Sequence, residues 1–395
     1  GTHITIRLNM QNGWSANHGH FRINTDYTNS YSANAYSWGS GVWVPGYIGS
    51  IKADYYEIAW GDGSDNTTMD HKILSRDNAA TPTSYNCEED NDNNKLCIDS
   101  TISEVGDYSS STWTTGLTHS FPDNGTTEYV VYWTAADRAA VENSNGLTWR
   151  NETKVNIGGT YDGNSSPVSA VPPIVQVQDN KTFSYQLVTT DADGDSLNYR
   201  WGQYNEFFET DGSGSTATFT KPTGMTLSSS GLIEWDVRDS VLCSGCTQND
   251  DNDEGDLWVA VIMVEDRDNN GSVKSYIPID FFFKIASASN DPPEIFGLPT
   301  TTQTVTIGTT KTITITSSDD SGVAPTVSVL NPPSDDTSIW STATSTSGSI
   351  TTFTINFSPV SSMDNSTYAV NIRSTDNASM TKDQSLGLKL SLIHI

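Results

Sequence analysis

The chain has 395 residues, and 48 Asp and Glu against 20 Lys and Arg leave a formal net charge of −28 with a pI near 4.2. That length fits roughly two to four domains, and that charge excludes nucleic acid and anionic membrane as partners. No stretch approaches the ~20 apolar residues of a membrane span. The abundance of Ser, Thr, Gly and Asn is poor for helices and suits short strands joined by turns, so an all-β fold of tandem antiparallel β-sandwiches is expected.

The first predicted element is Thr2 to Leu8, where Ile4, Ile6 and Leu8 share one strand face. It is either the first strand of its own domain or a strand donated to a sheet edge of another copy. His18 and His20 share a strand face without a third ligand nearby, which favours a polar face over a metal site. Tyr36, Trp38, Trp43 and Tyr47 crowd a Gly- and Ser-rich stretch, where packing is favoured over a stacking platform for sugar rings. Cys87 and Cys97 flank the acidic run Glu88 to Asp92, and Cys243 and Cys246 form a lone CxxC. Each pair is expected to close a local disulfide in an oxidising compartment, since zinc at the CxxC has too few ligands close by.

Tyr56-Glu57-Ile58-Ala59-Trp60-Gly61-Asp62-Gly63-Ser64 reads as a strand entering a tight turn that needs positive φ. Thr118-His119-Ser120-Phe121 and Tyr129-Val130-Val131-Tyr132-Trp133 come after it in order. With these three motifs, residues 1–165 resemble a polycystic-kidney-disease-type domain, which implies an immunoglobulin-like sandwich. It is lengthened around Cys87 to Asp107 and Tyr36 to Tyr47.

Next comes a strand with Phe183, Tyr185 and Leu187 on one face, leading into the acidic turn Asp191-Ala192-Asp193-Gly194-Asp195. Three carboxylates within five residues repel unless a cation holds them, and a hard ion with oxygen ligands is the natural candidate. A second acidic turn, Glu265-Asp266-Arg267-Asp268-Asn269-Asn270-Gly271, ends the apolar run Leu257 to Val264. In a sandwich these two turns fall at the same end, so Asp191, Asp193, Asp195, Asp266 and Asp268 are expected to share calcium. Pro222-Thr223-Gly224-Met225-Thr226, Gly231-Leu232-Ile233-Glu234-Trp235 and the linker Asn290-Asp291-Pro292-Pro293 complete a pattern. Residues 166–290 thereby resemble the cadherin-like, dystroglycan-type repeats of microbial surface proteins, interrupted by the insertion around Cys243 to Asp256. That resemblance implies a calcium-binding sandwich.

Residues 291–395 resemble a bacterial immunoglobulin-like or cadherin-like repeat. Ile313 with Ile315, Phe353 with Ile355 and Phe357, and Tyr368 with Val370 and Ile372 alternate as strands, and Leu386, Leu388, Leu390 and Leu392 as a closing strand. Asp319, Asp320 and Asp376 end two of them and are expected to face Asn290 and Asp291 across a second, poorer calcium site.

The nine Asn-x-Ser/Thr acceptors are Asn66, Asn124, Asn151, Asn164, Asn180, Asn270, Asn356, Asn365 and Asn377, a number that composition alone would give. No nucleophile elbow, zinc-protease helix, phosphate loop or dinucleotide fingerprint is present, so no catalysis is expected. The opening at Gly1 fits removal of an export signal or missing first residues. The chain therefore reads as an extracellular or cell-surface structural subunit that self-assembles into a homopolymer, rigidified by interdomain calcium. The alternatives are an adhesin for surface glycans and an accessory module of a secreted hydrolase.

Overall fold

A computed structural model describes residues 4–8, 21–22, 51–72, 88–89, 95–96, 105–107, 112–114, 117–122, 128–135, 140–145, 149–172, 174–179, 181–207, 221–237, 257–286, 290–330, 332–334, 336–363 and 367–391. All four cysteines, His18, His20, the aromatic stretch Tyr36 to Tyr47, and Asn124, Asn180, Asn365 and Leu392 lie outside the described residues. The fold is all-β and divides into two compact units. Residues 1–162 with 203–217 form unit 1, and residues 163–202 with 218–395 form unit 2. Within the stretch expected to be one middle domain, 203–217 thus groups with unit 1.

In unit 1, strands β1 (Ile4–Leu8), β2 (Ile51–Ala59), β3 (Thr67–Lys72), β4 (Leu117–Phe121), β5 (Glu128–Ala135) and β6 (Trp149–Asn156) matter here. β5 is antiparallel to β6 and to β2, with Trp133 opposite Ile58. β1 pairs antiparallel with β4 of the same chain, from Ile4 opposite Phe121 to Leu8 opposite Leu117. Of the two readings of this segment, the chain adopts the first strand of its own domain.

The alternation of β5 sends Tyr129, Val131 and Trp133 into a core with Ile58, Trp60 and Phe121. The Trp60-to-Ser64 turn is held by charge as well as packing. Asp62 Oδ1 accepts from Ser64 N at 3.0 Å and Ser64 Oγ at 2.6 Å, and its Oδ2 sits 2.9 Å from His119 Nε2. Burial would raise the Asp62 carboxyl, but the bonds from Ser64 and His119 prevail and bring it down to about 2. The His119 ring stacks on Trp60 at 4.3 Å, so the two halves of the motif meet in space.

The first sandwich of unit 2 contains β7 (Val168–Ser169), β8 (Ile174–Gln178), β9 (Thr182–Gln186), β10 (Thr189–Thr190), β11 (Ser196–Trp201), β12 (Thr226–Leu227), β13 (Leu232–Asp236), β14 (Leu257–Arg267) and β15 (Val273–Ala286). β11, β14, β15 and β8 bond in that order, with β8 parallel to β15, and β9, β13 and β12 form the facing sheet. Trp235, Phe281, Phe283, Ile233 and Val264 fill the space between them.

The second sandwich contains β16 (Glu294–Phe296), β17 (Gln303–Thr306), β18 (Lys311–Ser318), β19 (Thr326–Val329), β20 (Trp340–Ser347), β21 (Ile350–Phe357), β22 (Thr367–Thr375) and β23 (Thr381–Ser391). One sheet runs β16-β18-β21-β20 and the other β17-β23-β22-β19, with β17 parallel to β23. Its separate core holds Ile315, Ile355, Phe357, Val370, Leu386 and Leu388.

These two sandwiches also pack on one another along β23. Thr381 N–H donates to Gln176 Oε1 at 2.8 Å, and Lys382 Nζ lies 5.7 Å from the Phe183 ring. A Cβ on Gly387 would meet Thr190 Cγ2 at 2.6 Å and Thr302 Oγ1 at 2.8 Å, so only glycine lets the surfaces close to this distance.

The tightest backbone requirement is at Gly61, where φ is 76° and an added Cβ would lie 2.4 Å from the Val130 carbonyl oxygen. Gly61→Ala is expected to cost unit 1 more than about 1 kcal/mol, because left-handed geometry and a backbone clash add. Urea unfolding followed by tryptophan fluorescence measures it; an unchanged midpoint would refute this account of the turn.

Candidate metal centre

β14 carries Trp258, Ala260, Ile262 and Val264 into the core of the first sandwich, and the next residue in that phase is Asp266, at 0 % exposure. A carboxylate there is costly unless its oxygens find partners. Asp266 Oδ2 accepts from Asn164 Nδ2 at 2.8 Å and Ser275 Oγ at 3.2 Å. Asp266 faces Ser275 on β15 while Arg267 faces Val273, so the extra residue of the bulge is Lys274 on β15. Glu265, in the opposite phase, bonds Arg200 at 2.6 Å, Asn198 at 3.0 Å and Arg267, and stays outside this group.

The turn after β10 supplies the other wall. Asp191 Oδ1 accepts the N–H groups of Asp193, Gly194 and Asp195 at 2.9, 2.7 and 3.0 Å, with Gly194 at φ 81°. One oxygen of Asp191 therefore folds the turn while the other faces inward. Oxygens of Asp191, Asp193 and Asp195 lie within 4.8 Å of one another. Asp193 Oδ2 accepts from Ser165 N–H at 2.5 Å, and Lys274 donates to Asp195 Oδ2.

The two walls act on each other. Burial first, then the charges of Asp191 and Asp195, push the Asp266 carboxyl up to about 6 against the hydrogen bond from Asn164 and the charge of Lys274. Asp191 is raised by burial and by its neighbours Asp193 and Asp195, against its backbone hydrogen bonds. Burial would lower Lys274, but Asp195, Asp266 and Asp193 hold it above the ordinary lysine value.

Whether the residues fit a metal turns on the buried oxygens. Asp191 Oδ2, Asp266 Oδ1 and Asn164 Oδ1 are buried and have no hydrogen-bond partner among the described residues. The three clustered carboxylates and nearby Asp266 share one ammonium, that of Lys274, which bonds Asp195, and the other polar oxygens beside them, from Asn164 and Ser275, are neutral. That set suits a hard divalent cation with six to eight oxygen ligands and lacks the sulfur or imidazole preferred by zinc.

Of the expected ligands, Asp191, Asp193 and Asp195 come together within 4.8 Å, while Asp266 stands outside that group of three and is linked to it through the Asn164–Ser165 segment. Asp268 caps its own turn, its Oδ1 accepting Asn270 N–H and Ser272 N–H at 2.8 Å each. At the second expected site, Asn290 Nδ2 bonds Asp376 Oδ2, and Asp376 Oδ1 accepts Ala378 N–H and Met380 N–H at 2.8 Å each. Asp291 turns instead to Gln178 at 2.7 Å and to Lys181. Asp319 caps Ser321 at 2.9 Å with Oδ2 left unpartnered, and Asp320 is exposed. These side chains tie the linker down without assembling a group of three carboxylates.

Asn164 stands in the sequence only as a glycan acceptor, yet its amide nitrogen is engaged by Asp266. A signal for it existed. Asn290 occupies the corresponding place before the second sandwich and makes the same bond to Asp376. Of the other described acceptors, Asn66, Asn270 and Asn377 are exposed, and Asn151 and Asn356 are half-buried.

No family model and no curated protein matches the chain. Among solved structures, the GspB Siglec domain is 13 % identical over 26 % of this chain, with a TM-score of 0.23; the chain spans 58 % of that structure's length. The sialic acid binding region of a Streptococcus sanguinis adhesin is 12 % identical over 58 % of this chain and 78 % of its own, TM-score 0.22. A tandem pair of titin Ig domains is 8 % identical over 55 % of this chain and 93 % of its own, TM-score 0.20. Superpositions this weak carry no argument, and the β-sandwiches stand on their strand pairing.

A raised folded-state carboxyl stabilises fully below its unfolded value and loses that contribution as pH rises through the folded value. For Asp266 the window is from 3.8 to about 6. Glu265, lowered despite burial by Arg200 and Arg267, gains its contribution above 4.5 and is constant across the upper part of that window. In chelator, the melting temperature is expected to fall between pH 5 and about pH 6, and Asp266→Asn to flatten that fall. A rise over the same interval in both proteins would contradict the assignment.

Proposed function

We propose that this chain is an exported, non-catalytic structural subunit of a filament, sheath or surface layer. In this reading a PKD-like sandwich precedes a cadherin-like sandwich and a related last repeat, and calcium stiffens the chain. The ion is held by Asp191, Asp193, Asp195 and Asp266 with the carboxamide oxygen of Asn164. The observation that carries the reading is the set of three buried, unpartnered oxygens beside an excess of negative charge. A divalent cation satisfies those oxygens and relieves the repulsion at once.

The location of Asn164 and Ser165 gives the ion a mechanical role. Both lie at the start of unit 2, so an ion bound to Asn164 ties the incoming chain to the end of the sandwich core. A filament subunit needs such ties because freedom at each junction accumulates along the polymer. Where the chain passes into the second sandwich, hydrogen bonds from Gln178 and Lys181 to the linker and from Asn290 to Asp376 tie the chain down.

Titration calorimetry of the chelator-treated full chain is expected to find one strong calcium site, weakened more than about tenfold by Asp266→Asn or Asn164→Ala. Absence of calcium uptake in a folded sample would remove the metal from the account. Negative-stain imaging of native material with and without chelator tests the filament itself.

A further inference from the structure

β20 is the last strand of its sheet, bonded to β21 alone among the described residues. Edge strands usually carry protection such as a lysine, a proline, a bulge or a short length. β20 has none of these: it runs eight residues, Trp340-Ser341-Thr342-Ala343-Thr344-Ser345-Thr346-Ser347, pairs regularly with β21, and is exposed from Thr342 to Ser347 on both faces. The adjacent edge of the other sheet is β19. Between β19 and β20 lies a groove of about 430 Å³ lined by Val327, Val329, Trp340, Thr342, Thr344 and Phe353 among others. The Trp340 indole N–H beside it is buried and has no hydrogen-bond partner among the described residues.

Charge selects the occupant. From Thr326 to Phe357 the only ionisable residues are Asp335 and Asp336, in a chain whose formal charge is −28. Most faces of this protein repel a second copy, and this one does not. We propose that β20 pairs antiparallel with β20 of a second copy, joining the two sheets edge to edge across a two-fold axis.

The strand's own pattern supports self-pairing. A two-fold axis perpendicular to the sheet keeps the inward faces on one side, so Thr342, Thr344 and Thr346 of one copy meet the same residues of the other. Hydroxyl pairs in opposed Thr positions are favourable contacts. Both grooves are covered in one step. The contact is isologous and closes on itself; it rests on the self-assembling reading, deepens it by one contact and needs no cation.

Analytical ultracentrifugation of the full chain, in calcium and in chelator, tests it. The wild type is expected at no less than twice the 42.9 kDa of one chain in both conditions. Thr344→Lys sets like charges against each other across the two-fold axis and is expected to give monomer, as is Thr344→Glu. Mixing the two variants is expected to restore the dimer, which also shows that both are folded. A monomeric wild type at the highest attainable concentration, an unaltered dimer in Thr344→Lys, or no recovery on mixing would each overturn the proposal. Calcium binding by Thr344→Lys reads the metal site separately, so a failure here is distinct from a failure there. Pairing with a foreign extended peptide would appear as a wild-type monomer that binds such a peptide, and would also overturn it.

Discussion

The constraint on which unit 2 depends is the burial of Asp266 in line with the core-facing residues of β14. A strand that delivers Trp258 to Val264 inward has no choice about where the next residue of that phase goes. The carboxylate must then be met from outside the strand, and Asn164, Ser275 and the Asp191-to-Asp195 turn all converge on it. Three stretches far apart in sequence, at Asn164, at the Asp191 turn and at the Asp266–Ser275 strand pair, are thereby drawn to one end of the sandwich. The arrangement leaves more acceptor oxygen than the protein itself satisfies, which is why an ion completes it under the proposed function.

Much of this was legible in the amino-acid order because strand alternation and turn chemistry are local. Phe183 with Tyr185, Phe353 with Ile355 and Phe357, and Leu386 with Leu388 face their cores as period-two patterning requires. The Trp60-to-Ser64 turn and Thr118-to-Phe121 stand together, bonded through Asp62 and His119. Less legible were features fixed by three-dimensional partners. Asp268 lies two residues from Asp266, yet it falls past the end of β14, where its carboxylate caps the N–H groups of its own turn. Asn164 carried a sequon, and that local motif hid its tertiary role. Asp291 was expected among metal ligands, but Lys181 and Gln178, residues of the preceding sandwich, lie closer to hand.

The joint between the two sandwiches of unit 2 shows a related division of labour. A flexible linker with an ion at its centre was the expectation at Asn290 and Asp291. In the folded chain the neighbouring surfaces do much of that work, with β23 laid against β8, β9 and β10 and Gly387 permitting close approach. Direct packing is insensitive to chelation, whereas the carboxamide oxygen of Asn164, at the start of unit 2, has no hydrogen-bond partner among the described residues. Both sandwiches of unit 2 begin alike, with an Asn bonded to a buried Asp, and differ in how many carboxylates surround that pair.

The parallel pairing of β8 with β15 and of β17 with β23 has a mechanical meaning. Each pair joins a strand near the point where the chain enters a sandwich to the strand near the point where it leaves. Tension applied along the chain pulls those two strands in opposite directions along their length, so the cross-strand hydrogen bonds are loaded together in shear and do not peel one at a time. Resistance to such a pull is set by the unfolding rate rather than by equilibrium stability. Each sandwich of unit 2 therefore holds its load-bearing bonds where a stretched chain would first test them.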